Sequence, residues 1–280
     1  TNAPSILLVD AFQRLAGPQP FDNEATGGFN FEQEPGVIDI KSPGFCGYQQ
    51  NFDKTQYGKG FGASGDELEG MILAGNTHDY STRTAIDILQ KHPECNISST
   101  TPIQIAGLDL RKYRIANFTL GAQKDDGYSL TRRKAFTPEM LTAISQLTMQ
   151  GTSIMVSGAF IGSDVRNAGD DAFIADKLKY RHIATTPTDS ICTVEGLGNI
   201  GSIYSRPNEE NYWLRSTDII EGVGGAFNAM KYSTNNYPAA IAYPGPGYRV
   251  LAFGFPLECI KETETRQNIV GIAIDFLLGK

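Results

Sequence analysis

No run in this chain approaches the roughly 20 consecutive apolar residues that cross a bilayer as a helix. The strongest apolar stretches, residues 6–9 and 154–156, have the length of strands. Positive charge is also sparse: the 280 residues carry a formal net charge of −7, and the pI is about 5.1. Nucleic acid and anionic membrane both require concentrated positive charge, so neither is an expected partner. The one basic run, Arg132-Arg133-Lys134, reads as solvated surface in a loop. Cys46, Cys95, Cys192 and Cys259 form no C-x-x-C pair and no zinc-like spacing with the three histidines. Four such cysteines are compatible with two disulfides or with none. The chain has no internal repeat and no low-complexity linker. Gly222-Val223-Gly224-Gly225-Ala226 lacks the strand-then-helix setting of a dinucleotide fingerprint, and no cofactor is expected.

What is present is ordinary globular material, 40% hydrophobic and 20% charged, enough for a sizeable core in one domain spanning 1–280. Residues 5–10 form an apolar run ending in an acid, as in a buried parallel strand. From about Gly17 to Gly70 the sequence is rich in Gly, Pro and Asn, with almost no helical period. So long a segment is expected to fold over the sheet and shape a site. Ser81 or Thr82 can cap a helix with Ala85, Ile86 and Leu89 on its apolar face, ending near His92 ahead of Pro93. Residues 113–120 read as a core strand closed by Gly121. Thr137-Pro138-Glu139 then gives a capping hydroxyl, a proline at the first helical position and an acid near the positive helix end. Leu141, Ile144 and Leu147 give that helix its apolar face, and Gly151 suits its C-terminus. Residues 153–156 form the next buried strand, so strand, helix and strand make a right-handed parallel βαβ unit. Runs at 190–194, 228–232, 239–243 and 249–253 read as strands, some antiparallel. A last helix, about 262–278, turns Ile269, Ile272, Ala273 and Phe276 to one side.

Three segments taken in order carry a family resemblance: Leu108-Asp109-Leu110-Arg111-Lys112-Tyr113, residues 151–161, and Phe253-Gly254-Phe255-Pro256-Leu257-Glu258. Together they resemble non-standard members of the class I glutamine amidotransferase-like, flavodoxin-like fold. More narrowly, Ala63-Ser64-Gly65-Asp66-Glu67-Leu68-Glu69-Gly70 and Ala74-Gly75-Asn76-Thr77-His78-Asp79-Tyr80 look like extracellular bacterial proteins known as xanthan lyases or as golvesin-associated. The resemblance implies a doubly wound, mainly parallel α/β sheet, elaborated by the irregular early segment and the strand-rich later half. It does not carry over the amidotransferase chemistry. The turn after residues 153–156 holds Ser157 instead of Cys, and no His follows His182.

Ser157 stands where a parallel strand meets a turn, and Gly158 and Ala159 would leave backbone N–H groups free for an oxyanion. A serine nucleophile needs a base. His78, followed by Asp79, is the best placed of the histidines, which also include His92 and His182. The structural alternative is that Ser157 satisfies backbone groups at a strand end while His78 caps or packs locally. Asp66, Glu67 and Glu69 could act as acid, base or oxygen ligands, but they lack calcium-loop spacing, so no metal is expected; an exposed acidic turn is the plainer reading. Asp10, Asn76 and Gly158 complete the candidate ligand-binding set. Tyr48, Phe52, Tyr57, Phe61, Tyr204, Tyr212 and Trp213 either stack on sugar rings or anchor loops.

Two classes of function follow. One is a non-catalytic or accessory domain of a secreted, periplasmic or cell-surface protein that engages polysaccharide or cell-envelope glycan. The other is a serine-type hydrolase or polysaccharide lyase using Ser157, His78 and nearby carboxylates. The export expectation rests on the resemblance, on richness in Asn, Thr, Tyr and Gly, and on a chain that begins at Thr1, as after loss of a signal peptide or upstream domain. A recombinant start fits Thr1 equally.

Overall fold

Strands whose two faces are both covered form the middle of this protein. The computed structural model describes residues 3–13, 19–22, 26–30, 51–53, 80–125, 134–188, 192–204, 212, 214 and 216–280. In chain order the strands are β1 (Ser5–Asp10), β2 (Gln19–Asp22), β3 (Thr26–Asn30), β4 (Asn51–Asp53), β5 (Asn96–Thr100), β6 (Ile115–Gly121) and β7 (Ser153–Gly158). They continue with β8 (Tyr180–Pro187), β9 (Cys192–Gly196), β10 (Asn199–Ile203), β11 (Ser216–Gly222), β12 (Phe227–Tyr232), β13 (Pro238–Tyr243) and β14 (Val250–Phe253). The helices are α1 (Tyr80–Lys91), α2 (Pro138–Met149), α3 (Ser163–Ala168), α4 (Asp171–Lys177) and α5 (Thr263–Leu278).

The main sheet runs β10-β9-β12-β13-β14-β7-β6-β1-β5. β14, β7, β6, β1 and β5 are mutually parallel, and the strands from β13 outward pair antiparallel. The result is a mixed α/β fold with a large, partly parallel sheet. Along β1, Ile6 and Leu8 pack with Ile88 of α1 and Ile269, Ala273 and Leu277 of α5, whereas Leu7 and Val9 pack with Met140, Ile144 and Leu147 of α2. Side chains alternate across a strand, so an unbroken apolar run is what a strand covered on both faces requires. β8 and β11 form a separate antiparallel pair, and β2, β3 and β4 a small antiparallel sheet within the early Gly-rich segment.

Local sequence chemistry explains several boundaries. Thr137 accepts the Met140 N–H at 3.4 Å as the cap of α2, with Pro138 opening the helix. Gly151 beyond its end has φ +84°, and β6 and β7 pair in parallel as the βαβ reading requires. In α1 the buried face differs from the expected one. Ile86 is 56% and Leu89 40% exposed, whereas Asp87 and Ile88 are buried. The reason lies in α5: Arg266 Nε donates to Asp87 Oδ2 at 2.6 Å and its Nη2 to Oδ1 at 3.3 Å. The paired carboxylate can therefore turn inward between the helices. Arg266 also donates to the Ile260 carbonyl at 3.2 Å.

This buried pair gives a direct test. Asp87→Ala leaves Arg266 uncompensated and is expected to cost about 3–5 kcal/mol, read from the shift in urea midpoint. An Asp87→Leu/Arg266→Met double variant removes both charges and is expected to recover most of that loss. A single variant with wild-type stability would contradict the clamp.

Candidate functional site at the carboxyl edge

Open α/β sheets offer a crevice at the carboxyl ends of parallel strands where successive connections leave in opposite directions. Here β1 connects to β5 on one side while β6 connects to β7 on the other, so that point falls between the ends of β1 and β6. In register, Asp10 of β1 pairs with Thr119 of β6, and Thr119 with Ser157 of β7. Strand alternation puts all three on the face of Ile6, Leu8 and Met155, beneath α1 and α5. Asn117 shares that face. Its Nδ2 donates to Thr119 Oγ1 at 3.5 Å, and its buried Oδ1 has no hydrogen-bond partner among the described residues.

Beside this polar row stands an aromatic cluster. Phe12 follows β1 and meets the Tyr212 ring edge-on at 4.9 Å, and Tyr212 meets Tyr80 edge-on at 5.4 Å. A Cβ at Gly121, which has φ +52°, would run into the Phe12 ring, so this close approach requires glycine. Glu258 lies in the short 3-10 turn after β14 and is only 3% exposed. It accepts the Tyr212 hydroxyl at 3.0 Å, and Arg83 Nη1 donates to its backbone carbonyl at 3.3 Å. Burial pushes the Glu258 carboxyl up to about 7; the Asp10 charge adds to that rise, while the Tyr212 hydrogen bond and Arg83 oppose it. Burial likewise raises the Tyr212, Tyr80 and Cys259 groups. A carboxyl group held near neutrality can hold or release a proton at physiological pH.

Asp10, Ser157 and Gly158 of the expected site are thus described, and Asp10 and Ser157 share the row. His78, Asp79, Asp66, Glu67, Glu69 and Asn76 lie outside the described residues, as do Tyr48, Tyr57, Phe61, Trp213 and Cys46. Ser157 is 2% exposed. Three backbone N–H groups beyond it are engaged: Ala159 donates to the Gly121 carbonyl at 2.8 Å, and Gly162 and Ser163 donate to Asp218 Oδ2 at 2.8 and 2.7 Å. A Cβ at Gly158 would lie 2.8 Å from Leu120 Cβ, so this glycine serves close packing. The other histidines are placed elsewhere. His92 Nε2 meets the Gly271 carbonyl at 3.1 Å, and His182 Nε2 is 3.4 Å from Thr185 Oγ1 and 3.5 Å from Asp218 Oδ1. Glu258 was missed by sequence reasoning. Its only signal was an acid inside the otherwise apolar run 253–260. Among the described residues no group of His, Cys, Asp and Glu could hold a metal ion, and no helix is long and apolar enough to cross a membrane.

No protein-family model matches the sequence. No curated protein is significantly similar to it. Solved structures do share its fold. A cytoplasmic protein from Salmonella typhimurium is 9% identical, with 98% of this chain and 97% of that chain covered at a TM-score of 0.51. A second cytoplasmic protein, from Salmonella typhimurium LT2, is 8% identical, with 95% and 92% covered at 0.49. The glutaminase domain of the Trypanosoma brucei CTPS is 10% identical, with 99% and 94% covered at 0.39. The chain is therefore similar in fold to the first of these proteins. Nothing in them bears on the xanthan lyase resemblance. The expectation of a secreted, periplasmic or cell-surface location is not carried forward, because the Salmonella typhimurium protein whose fold this chain shares is a cytoplasmic one. Of the cues behind that expectation, the richness in Gly and Asn is not specific to a compartment, since both meet the conformational needs of turns anywhere. Cys95 and Cys259 are free, buried thiols.

The pH dependence of stability follows from Glu258. Below about 4.5 the group is protonated in both folded and unfolded chains and contributes nothing. Between about 4.5 and about 7 the unfolded carboxyl ionises while the folded one stays protonated, so stability falls as pH rises. Above that window the loss levels off on the order of 3 kcal/mol. Chemical denaturation of wild type and Glu258→Gln at pH 5 and pH 8 is expected to show the wild type losing that much more than the variant. Equal losses would mean that Glu258 titrates normally.

Proposed function

We propose that this chain is a non-catalytic or accessory domain that engages polysaccharide. The observation that carries this reading is the state of the β7 turn. Ser157 is enclosed in the sheet, and one of the two N–H groups expected to serve an oxyanion, that of Ala159, is held by the Gly121 carbonyl. The family resemblance of residues 63–80 supplies the polysaccharide part of the proposal. The parallel core is read, on the separate resemblance of residues 108–113, 151–161 and 253–258, as the doubly wound amidotransferase-like type. The acidic balance of the chain disfavours polyanionic glycans, by like-charge repulsion, and favours neutral ones.

A second reading, a hydrolase or polysaccharide lyase, is favoured by Glu258 and Asp10. In that reading carboxylates move the proton and Ser157 is a bystander. Isothermal titration against soluble neutral polysaccharides, with product analysis of the same mixtures, separates the two. The accessory reading expects saturable binding, no new reducing or unsaturated ends, and unchanged affinity in Ser157→Ala. Chain cleavage that disappears in Glu258→Gln would replace it with the second reading. Cleavage that disappears in Ser157→Ala would restore the serine mechanism.

A further inference from the structure

Away from the carboxyl edge, α1 ends beside the middle of α5, roughly 16 Å along the helix from Tyr80. The turn between β9 and β10 lies against the same stretch of α5, and the three elements enclose a groove of about 430 Å³. That volume falls within the range of small-ligand clefts, about 300–1,000 Å³. Its floor is tightly built. Gly271 has no side chain, and a Cβ there would come 2.9 Å from Lys91 Cγ, so α1 and α5 approach closely only because of it. His92 Nε2 meets the Gly271 carbonyl at 3.1 Å and its Nδ1 meets Glu94 Oε1 at 3.3 Å, which ties the end of α1 to α5. On the rim, Leu197 holds φ +50°, an uncommon conformation for leucine, and its side chain packs against the core. Asn199 Nδ2 donates to the Leu197 carbonyl at 2.7 Å, which fixes that amide and leaves its Oδ1 as an acceptor.

The chemistry of the lining is mixed and balanced. Lys91 and Asp275 supply one charge of each sign, Asn199 and Asn268 supply carboxamides, and Ile272, 40% exposed, supplies an apolar surface. Lys91 and Asn268 make no side-chain hydrogen bond or ion pair among the described residues, so their donors remain available. A carboxamide or carboxylate beside an amine matches adjacent hydroxyls, each of which donates and accepts. An apolar side chain in the same lining matches the C–H face of a pyranose. We infer that this groove is a binding subsite for a neutral saccharide unit. The inference rests on the polysaccharide reading above and gives it a place distinct from the Asp10–Glu258 edge. The groove's pre-set partners mean that little ordering is needed on binding.

The test uses the full 280-residue chain, labelled with nitrogen-15, titrated with cello-, manno- and malto-oligosaccharides up to tens of millimolar. The expected result is saturable amide shifts centred on Gly198, Asn199, Asn268 and Gly271 for at least one of them. Asn268→Ala is expected to weaken that binding about tenfold, and Ile272→Trp, which fills the groove, to abolish it. Ile272 is exposed and Asn268 half-buried on α5, and an unchanged thermal midpoint verifies folding. Shifts that instead centre on Phe12, Gln123 and Glu258, with wild-type affinity in both variants, would overturn the groove and keep the polysaccharide reading. No shift with any oligosaccharide would overturn the groove, while binding of longer soluble polysaccharides by calorimetry decides the broader reading separately. Groove shifts caused by free amino acids and by no saccharide would overturn the ligand class.

Discussion

Burial of both faces of the four inner parallel strands is the constraint on which the rest of this structure depends. Each backbone group in β14, β7, β6 and β1 must be satisfied by a neighbouring strand, and each side chain must find cover above or below. In β14, β7, β6 and β1 that forces near-continuous apolar sequence and places helices against both faces, whereas β5 at the edge escapes it. It also leaves few positions where polar side chains can stand inside the sheet. Asn117, Thr119 and Ser157 break the rule together, on one face, at the end where the connections diverge. A polar exception repeated on adjacent strands marks a place where packing has been given up for something else.

The energetic tension sits next to that row. Glu258 is enclosed by Tyr212, Tyr80 and the Arg83 side, with Asp10 close enough for its charge to matter. A buried carboxylate needs strong compensation, and the backbone and Tyr212 hydrogen bonds with the Arg83 charge do not outweigh burial, so the neutral form is favoured until the pH nears neutrality. Asp87 makes the opposite case. Its carboxylate is equally buried but receives two guanidinium N–H groups, and the pair joins α1 to α5. Asp218 is a third solution, fully buried and satisfied by Gly162, Ser163 and Thr185. Three buried acids thus have three fates, set by the donors each one meets.

Much of the frame was readable before any tertiary contact was known. Thr137-Pro138-Glu139 starts α2 through interactions within one turn, and the apolar runs of β1 and β7 need only a covered sheet to be strands. The extended run 239–243 likewise became β13. Other elements resisted. β5 carries Asn96-Ile97-Ser98-Ser99-Thr100, which has no apolar pattern, and is a strand because it lies at the sheet edge beside β1. In α1 the face was misjudged because Asp87 turns inward only when Arg266, 179 residues later, is there to meet it. Of the site, Asp10 and Ser157 were legible as strand ends. Glu258 was not, since an acid in sequence carries no sign of whether it will be buried.

What the sequence alone determined is whatever depends on neighbours in the chain: the capped helix, the strand-length apolar runs, the βαβ order, and the absence of a membrane-spanning or strongly basic segment. Those properties act over one turn or a few residues, and local chemistry decides them. The tertiary structure decided which hydroxyls and carboxylates share a face, which backbone N–H groups remain free, and which acid is left without enough donors. Cross-strand register and long-range burial set these, and neither is written in any single stretch of residues.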